Sequence, residues 1–458
     1  MPKQIRVNAF LTDSPCHLTP GLWRHPEDRS TEHGSLAFWT DLARLLERGK
    51  FDGVFLADAI GVIDVYGGNA DAAIRHGVQV PRHDPALIIP AMAAVTKHLG
   101  FGVTFSLSQE QPYLLARRLS TLDHLTDGRI AWNIVTGFLE SASKATGAEK
   151  VVSHDDRYDV GDEYMEIVYR LWEESWEDAA VVKDKAAGIY AHPEKVHKIV
   201  HDGKYFRLQA IHLIEPSPQR TPVLYQAGGS ARGREFAARH AECVFVAGPT
   251  KAAVGRVTAD IRKRAIDNGR RADDLQCFMM AVVIAGKTEA EARAKLASYR
   301  EYSSVETSLI FLSATMGIDL SAYPLDEPLP EGKISAAVQS MAESFNAANA
   351  GRAWTLREVA EHNAIGSRAP IICGSPSQIA DEMQQWVDEA GVDGFNLSYA
   401  LLPGDFRDFV DLVVPELQAR GIYKTDYPQG TLREKLFDAR SPYLADQHTG
   451  ATYRRRAP

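Results

Sequence analysis

The chain has 458 residues, 45% of them hydrophobic and 24% charged, with a formal net charge of −9. This is the composition of a globular protein with a sizeable core, and the negative balance argues against a nucleic-acid partner. The start MPKQIRVNAFL lacks the apolar core of a signal peptide, and no apolar run reaches membrane-spanning length. Cys16, Cys243, Cys277 and Cys373 are scattered, giving neither a disulfide framework nor a thiolate metal site. A reduced cytoplasmic protein, free of membrane and metal, is expected.

In chain order, eight short runs rich in β-branched and aromatic residues read as strands: 5–11, 53–58, 101–107, 129–136, 222–227, 242–247, 277–285 and 394–400. Several are almost continuously hydrophobic, as parallel strands covered on both faces are. Helical patterns lie between them, among them 36–48, 91–98, 234–240, 252–268 and 379–390. The stretch QPYLLARRLSTLDHLTDGRIAWNIVT shows the unit most plainly. Pro112 suits a first helical position, Asp127-Gly128 supplies a left-handed stop, and a strand follows that ends in Asn133 and Thr136. Eight such alternations predict an α/β fold of the (β/α)8 TIM-barrel kind rather than an open sheet, and no G-x-G-x-x-G follows any strand.

Two intervals, about 138–221 after the fourth strand and 287–370 after the seventh, are too long for plain connections and read as insertions. The first contains a helix at 162–173 and a hairpin around Asp202-Gly203; the second contains a helix at 289–302. The tail beyond Tyr427, about 428–458, is expected to wrap the barrel or a partner subunit, and Arg454-Arg455-Arg456 reads as a solvated end. The whole chain, 1–458, is taken as one barrel domain.

Chemistry is expected where the strands end. Asp58 closes the second strand, either beside a ligand or as a cap or rim ion pair. Thr104 and Ser106 end the third strand, Asn133 and Thr136 the fourth. These short uncharged groups suit a flat heteroaromatic ring; β-propensity explains Thr but not Asn. After the fifth strand, Gly228-Gly229-Ser230-Ala231 runs into a helix, a credible phosphate cradle. In His154-Asp155-Asp156-Arg157-Tyr158 an Asp is an N-cap candidate, while Arg157 and Tyr158 could reach a phosphate. His17, Tyr66 and Gln79 lie in loops after the first two strands. Arg24, Arg82 and Arg232 could line the rim. No Walker loop, HExxH or Ser–His–Asp order is present, so hydrolysis has no support.

The segments ERGKFDGVFLAD, QPYLLARRLSTLDHLTDGRIAWNIVT, HDDRYDVGDEYMEIVYRLWE and PSPQRTPVLYQAGGSARGREFAA together resemble the bacterial-luciferase-like flavin monooxygenases, in the branch that holds nitrilotriacetate, EDTA and dibenzothiophene-sulfone monooxygenases. Within that branch, GLWRHPEDRS and SWEDAAVVKDKAAGIYAHPEKVHKI are similar to the enzymes that oxidise dimethyl sulfide. The resemblance implies a TIM barrel, reduced FMN supplied by a separate NAD(P)H:flavin reductase, a homodimer or homotetramer, and oxidative C–S cleavage of a small organosulfur compound. It implies that Asp58 lies near the flavin ring and that Tyr158, Gly229, Ser230 and Ala231 contact the phosphate. Thr104 and Asn133 would hold dioxygen, and His17, Tyr66 and Gln79 would line the substrate pocket. ETSLIFLSATMG lacks the histidine that relatives carry there. The alternatives are C–N cleavage of an aminopolycarboxylate, hydride transfer with a deazaflavin, and a non-catalytic flavin-binding barrel.

Overall fold

A computed structural model describes residues 3–137, 139–147, 154–327, 354–438 and 440–455. Eight parallel strands close into a barrel: β1 (Arg6–Thr12), β2 (Gly53–Ala57), β3 (Gly100–Ser106), β4 (Ile130–Val135), β9 (Val223–Gln226), β10 (Cys243–Val246), β11 (Gln276–Ala285) and β13 (Gly394–Ser398). β13 pairs with β1, and β10 with β11, which completes the ring. All eight correspond to the runs read from the sequence. Outward side chains such as Val54, Leu56, Phe101, Val103, Trp132 and Leu224 are buried under the helices, so both strand faces are apolar. Leu36–Arg48 shows how a helix fits: Phe38, Trp39, Leu42, Ala43 and Leu46 form its buried stripe.

The predicted stop after Leu125 is present, with Asp127 and Gly128 at φ 52° and 74°. Between β4 and β9 lie a helix Glu140–Ala145, a longer one His154–Tyr169 that continues into a π-turn Arg170–Glu174, and two hairpins. The hairpins pair β5 (Val181–Asp184) with β6 (Ile189–Ala191), and β7 (Ile199–Asp202) with β8 (Arg207–Ala210). The long helix begins eight residues before the expected 162, because its first turns are polar and carry little apolar period. After β11 come helices Glu289–Tyr302, Val305–Met316 and Leu356–His362, then β12 (Ile371–Gly374), which the sequence reading missed. β12 is four residues long and pairs with the end of β11 at Val282–Ala285, outside the ring. Part of the 287–370 interval lies outside the described residues.

The tail wraps the barrel itself. Leu432, Leu436 and Phe437 pack onto the inward residues Phe55, Tyr225 and Phe278 and close the N-terminal mouth. Buried Arg433 grips both oxygens of buried Glu242, at 2.7 and 2.9 Å, and the carbonyls of Thr221, Pro222 and Pro442. The solvated reading is corrected for Arg454, whose side chain is buried and meets Glu173 at 2.7 Å; Arg455 is exposed, as expected of a solvated end, and meets Glu174 at 3.0 Å. A fully buried Glu173 would be an uncompensated charge without Arg454. Arg456 lies outside the described residues. No helix among the described residues is long and apolar enough to cross a membrane.

Candidate functional site

With the tail closing one mouth, the C-terminal mouth carries the polar groups. Parallel register sets Thr104 beside Asn133 and Asn133 beside Tyr225. Their shared face is inward, since Tyr225 lies over Gly102, where a Cβ would come within 2.7 Å of its ring. Thr104 donates to the carbonyl of Leu56 at 2.9 Å, so its oxygen must accept from Asn133 Nδ2, also at 2.9 Å. That fixes the amide orientation and leaves Asn133 Oδ1 buried without a partner. A buried carbonyl oxygen without a donor costs about 1–3 kcal/mol; Asn133 is 4% exposed and, unlike Thr104, is not itself in the wall of the adjoining cavity. The Thr104 proton is already committed, so Thr104 acts here by holding Asn133.

A cavity of ≈ 410 Å³ opens beside this pair, walled by Asp58, Gln79, Arg82, Thr104 and Ser106 and by the apolar Ile60, Val62, Val80, Phe105, Val135 and Leu139. Asp58 is no helix cap. Its carboxylate accepts from the Ala59 amide at 2.8 Å and stands 4.0 Å from Arg82. Burial pushes its pKa up to about 6, against the pull of Arg82. Arg82 also donates to the Ala59 carbonyl at 2.6 Å and to Gln79 Oε1, and Gln79 donates to the His17 carbonyl at 2.9 Å. The sequence named Arg82 as a possible rim cation but could not aim it.

The other expected pocket residues are placed differently. His17 is buried edge-on against Phe10, with ring centroids 4.2 Å apart and Nδ1 unpartnered. Burial draws its pKa down to about 3, so it is neutral at physiological pH. Tyr66 packs beside Cys16, Ile63, Val78 and Phe311, side chains that fill the space next to Phe10 and Met280. Neither His17 nor Tyr66 is part of the cavity wall. The segment without the family histidine is the helix Val305–Met316, where the Ser308 hydroxyl is buried without a partner. Thr136 sits half-buried just after β4, before Gly137 of the cavity wall.

The glycine turn forms a second cluster. Ser230 caps the helix Ala231–His240, its Oγ accepting from the Gly233 amide at 3.0 Å. The amides of the first helical turn have no intrahelical partners, which suits an anion. Gly228 is demanded by packing, since a Cβ would lie 2.8 Å from the Gly233 backbone; Gly229 faces nothing within 4 Å. The open space over the helix start is therefore a cradle. The Tyr158 hydroxyl bonds Ser230 and Gln226 there, and its neighbour Arg157 donates to the carbonyl of Gly137. Ala231 opens the helix and is exposed. Short uncharged groups at the strand ends, beside a cavity whose Arg82 is opposed by Asp58, and an anion cradle at a helix start fit a flavin mononucleotide.

The three candidate arginines do not converge. Arg24 donates to the Tyr302 carbonyl, Arg82 faces Asp58, and Arg232 pairs with Asp159 at 3.1 Å and Asp162 at 2.6 Å.

A family model described as luciferase-like monooxygenase matches residues 21–394. The long-chain alkane monooxygenase of Geobacillus thermodenitrificans is 49% identical over 99% of both chains. The dimethyl-sulfide monooxygenase of Hyphomicrobium sulfonivorans is 45% identical over 99% of this chain and 94% of its own. The solved structure of DmoA from that organism superposes with a TM-score of 0.94, covering 99% of this chain and 96% of the other. A riboflavin lyase solved with modified FMN and riboflavin is 37% identical, with a TM-score of 0.90 over 99% of this chain and all of the other. Such identity over the full barrel, with the same closed architecture and a site that suits reduced flavin, places the chain in the luciferase-like family as a flavin-dependent monooxygenase.

Proposed function

We propose that the protein is a reduced-FMN monooxygenase that uses dioxygen to oxidise a small neutral organosulfur compound of the thioether class, with cleavage of a C–S bond. The observation that carries the neutral substrate is the charge of the cavity. Its arginine, Arg82, is already opposed by Asp58, Asp84 adds negative charge to the wall, and Glu110 there is paired with Arg118 at 2.7 Å. Among the described wall residues an aminopolycarboxylate would meet no unpaired arginine or lysine and would lose its hydration uncompensated. A hydrocarbon substrate is the second reading, favoured by the 49% identity to the alkane monooxygenase.

Reduced FMN supplies the electrons and activates dioxygen for transfer of one oxygen atom; the protein binds, orients and excludes water. The Gly229–Ser230 turn, the amides of the first helical turn and Tyr158 would hold the phosphate. Asn133, its amide fixed by Thr104, would offer the free Oδ1 acceptor to the flavin ring. Asp58 offers a carboxylate poised near neutrality, able to hold or release a proton at the cavity wall. Phe105, Val135 and Leu139 shield the reacting face from water. Reduced flavin comes from a separate NAD(P)H:flavin reductase.

The test is turnover with a flavin reductase, NADH and FMN against a panel of thioethers, sulfones, alkanes and nitrilotriacetate. Oxygen uptake coupled to thioether loss, with aldehyde formed, supports the proposal. Coupled turnover of nitrilotriacetate overturns the neutral-substrate argument, and coupled turnover of alkanes alone establishes the second reading.

A further inference from the structure

The fold gathers a second set of chemically able groups beside the cavity. Asp13 follows β1, His33 follows the short 3-10 turn Ser30–Glu32, and His83 sits in the loop beyond β2. Nδ1 of His33 lies 3.0 Å and Nδ1 of His83 lies 3.5 Å from the same oxygen, Asp13 Oδ1. All three ligand atoms lie within 4.8 Å of one another, and the imidazole centroids are 4.6 Å apart. The Asp13 side chain is fully buried and its second oxygen, Oδ2, has no partner. Two imidazoles thus crowd one carboxylate oxygen while the other goes unsatisfied, an arrangement with no evident packing purpose.

We infer that Asp13, His33 and His83 form a binding site for a first-row divalent cation of the zinc class. Two imidazoles and a carboxylate are a donor set for such ions, and Zn–N and Zn–O bonds of about 2.0–2.2 Å in a tetrahedron set ligand atoms roughly 3.3 Å apart. The observed separations from Oδ1 straddle that spacing. Oδ2 gives the carboxylate a second coordinating oxygen. His83, with its side chain 51% exposed, provides the entry path and leaves room for a water as the remaining ligand. His83 also lines the cavity wall next to Arg82, so the ion sits at the border of the flavin cavity without using any of the flavin-binding residues. This site does not depend on the identity of the substrate.

Untagged full-length protein, stripped with a chelator, is titrated with Co²⁺ and Zn²⁺ by calorimetry, and the Co²⁺ protein is read by its visible d–d absorption. The expected result is one ion per chain, with at least tenfold weaker binding in both His83→Ala and Asp13→Asn. His83 is half-exposed, so His83→Ala folds even if the buried Asp13→Asn variant does not. Absence of stoichiometric binding, or unchanged affinity in His83→Ala, overturns the site.

Discussion

Replacing Asp58 with Asn separates function from stability at the cavity wall. A rise from 3.8 to about 6 on folding means that the ionised carboxylate is less stable in the protein than in the unfolded chain. Each pKa unit corresponds to about 1.4 kcal/mol, so the ionised form costs the fold about 3 kcal/mol, with the attraction to Arg82 already included. The sign follows from proton counts. Between the two values the native state binds more protons than the unfolded one, so stability is fully present below pH 3.8 and falls as pH rises through about 6. Asn keeps the shape and the acceptor for the Ala59 amide but never ionises. Asp58→Asn should therefore be more stable than wild type by about 2–3 kcal/mol at pH 8 and equal to it below pH 4. With an unfolding entropy of about 2.1 cal/mol/K per residue over 458 residues, the gain at pH 8 is a Tm rise of roughly 3 °C. Activity should fall at least tenfold, the loss of one charge-assisted hydrogen bond of about 1.5–3 kcal/mol. Denaturant titrations at the two pH values and steady-state turnover measure both. A variant that is no more stable at pH 8, or whose stability change does not vary with pH, refutes the idea of a strained, poised carboxylate.

Three further substitutions probe other parts of the molecule. Asn133→Ala removes the orphaned acceptor, so reduced-FMN affinity should fall about 2–10-fold and more NADH should be spent on hydrogen peroxide; unchanged affinity and coupling would remove Asn133 from the site. Gly229→Asp places a carboxylate in open space over the helix start and should leave folding intact while weakening FMN at least tenfold. Phosphate-free riboflavin should be hardly affected, and equal loss for both flavins would put the phosphate elsewhere. Arg433→Met strands Glu242 in the barrel floor and should cost about 3–5 kcal/mol by urea unfolding; a change under about 1 kcal/mol would show that the tail does not lock the barrel.

The barrel was legible because its strands are buried on both faces, which turns each into an unbroken apolar run that a sequence displays directly. β12 escaped because four residues outside the ring carry too little pattern. The start of the His154–Tyr169 helix escaped because its first turns face polar surroundings. Cavity-wall residues were legible by position: Asp58, Thr104 and Ser106 near strand ends and Gln79 in the loop after the second strand all reach the cavity. What strand position could not convey was direction. Arg82 reads like any loop arginine until the fold sets it opposite Asp58, and Arg454 reads like a solvated tail until Glu173 is found beneath it. His17 and Tyr66 fall in the right loops but pack into the apolar cluster instead of the cavity wall. Asp13, His33 and His83 belong to separate segments, and only tertiary structure brings them together.

The two ends of the proposed flavin site are joined through consecutive residues. Arg157 holds the carbonyl of Gly137 at the edge of the cavity, and Tyr158 holds Ser230 at the cradle. Both belong to the first turns of one helix, so a phosphate that draws Tyr158 and the Ser230 turn together also fixes the backbone that carries Gly137. Gly137 has φ 76°, and an added Cβ would meet Ser108 Oγ at 2.8 Å and Ser106 Oγ at 3.2 Å, so this segment has little freedom once Arg157 is engaged. The phosphate end can thus order the wall that excludes water from the ring end, which couples cofactor occupancy to protection of the reacting face. A flavin lacking its phosphate would bind its ring against Asn133 yet leave that wall unfixed, and its oxygen consumption would be spent on hydrogen peroxide.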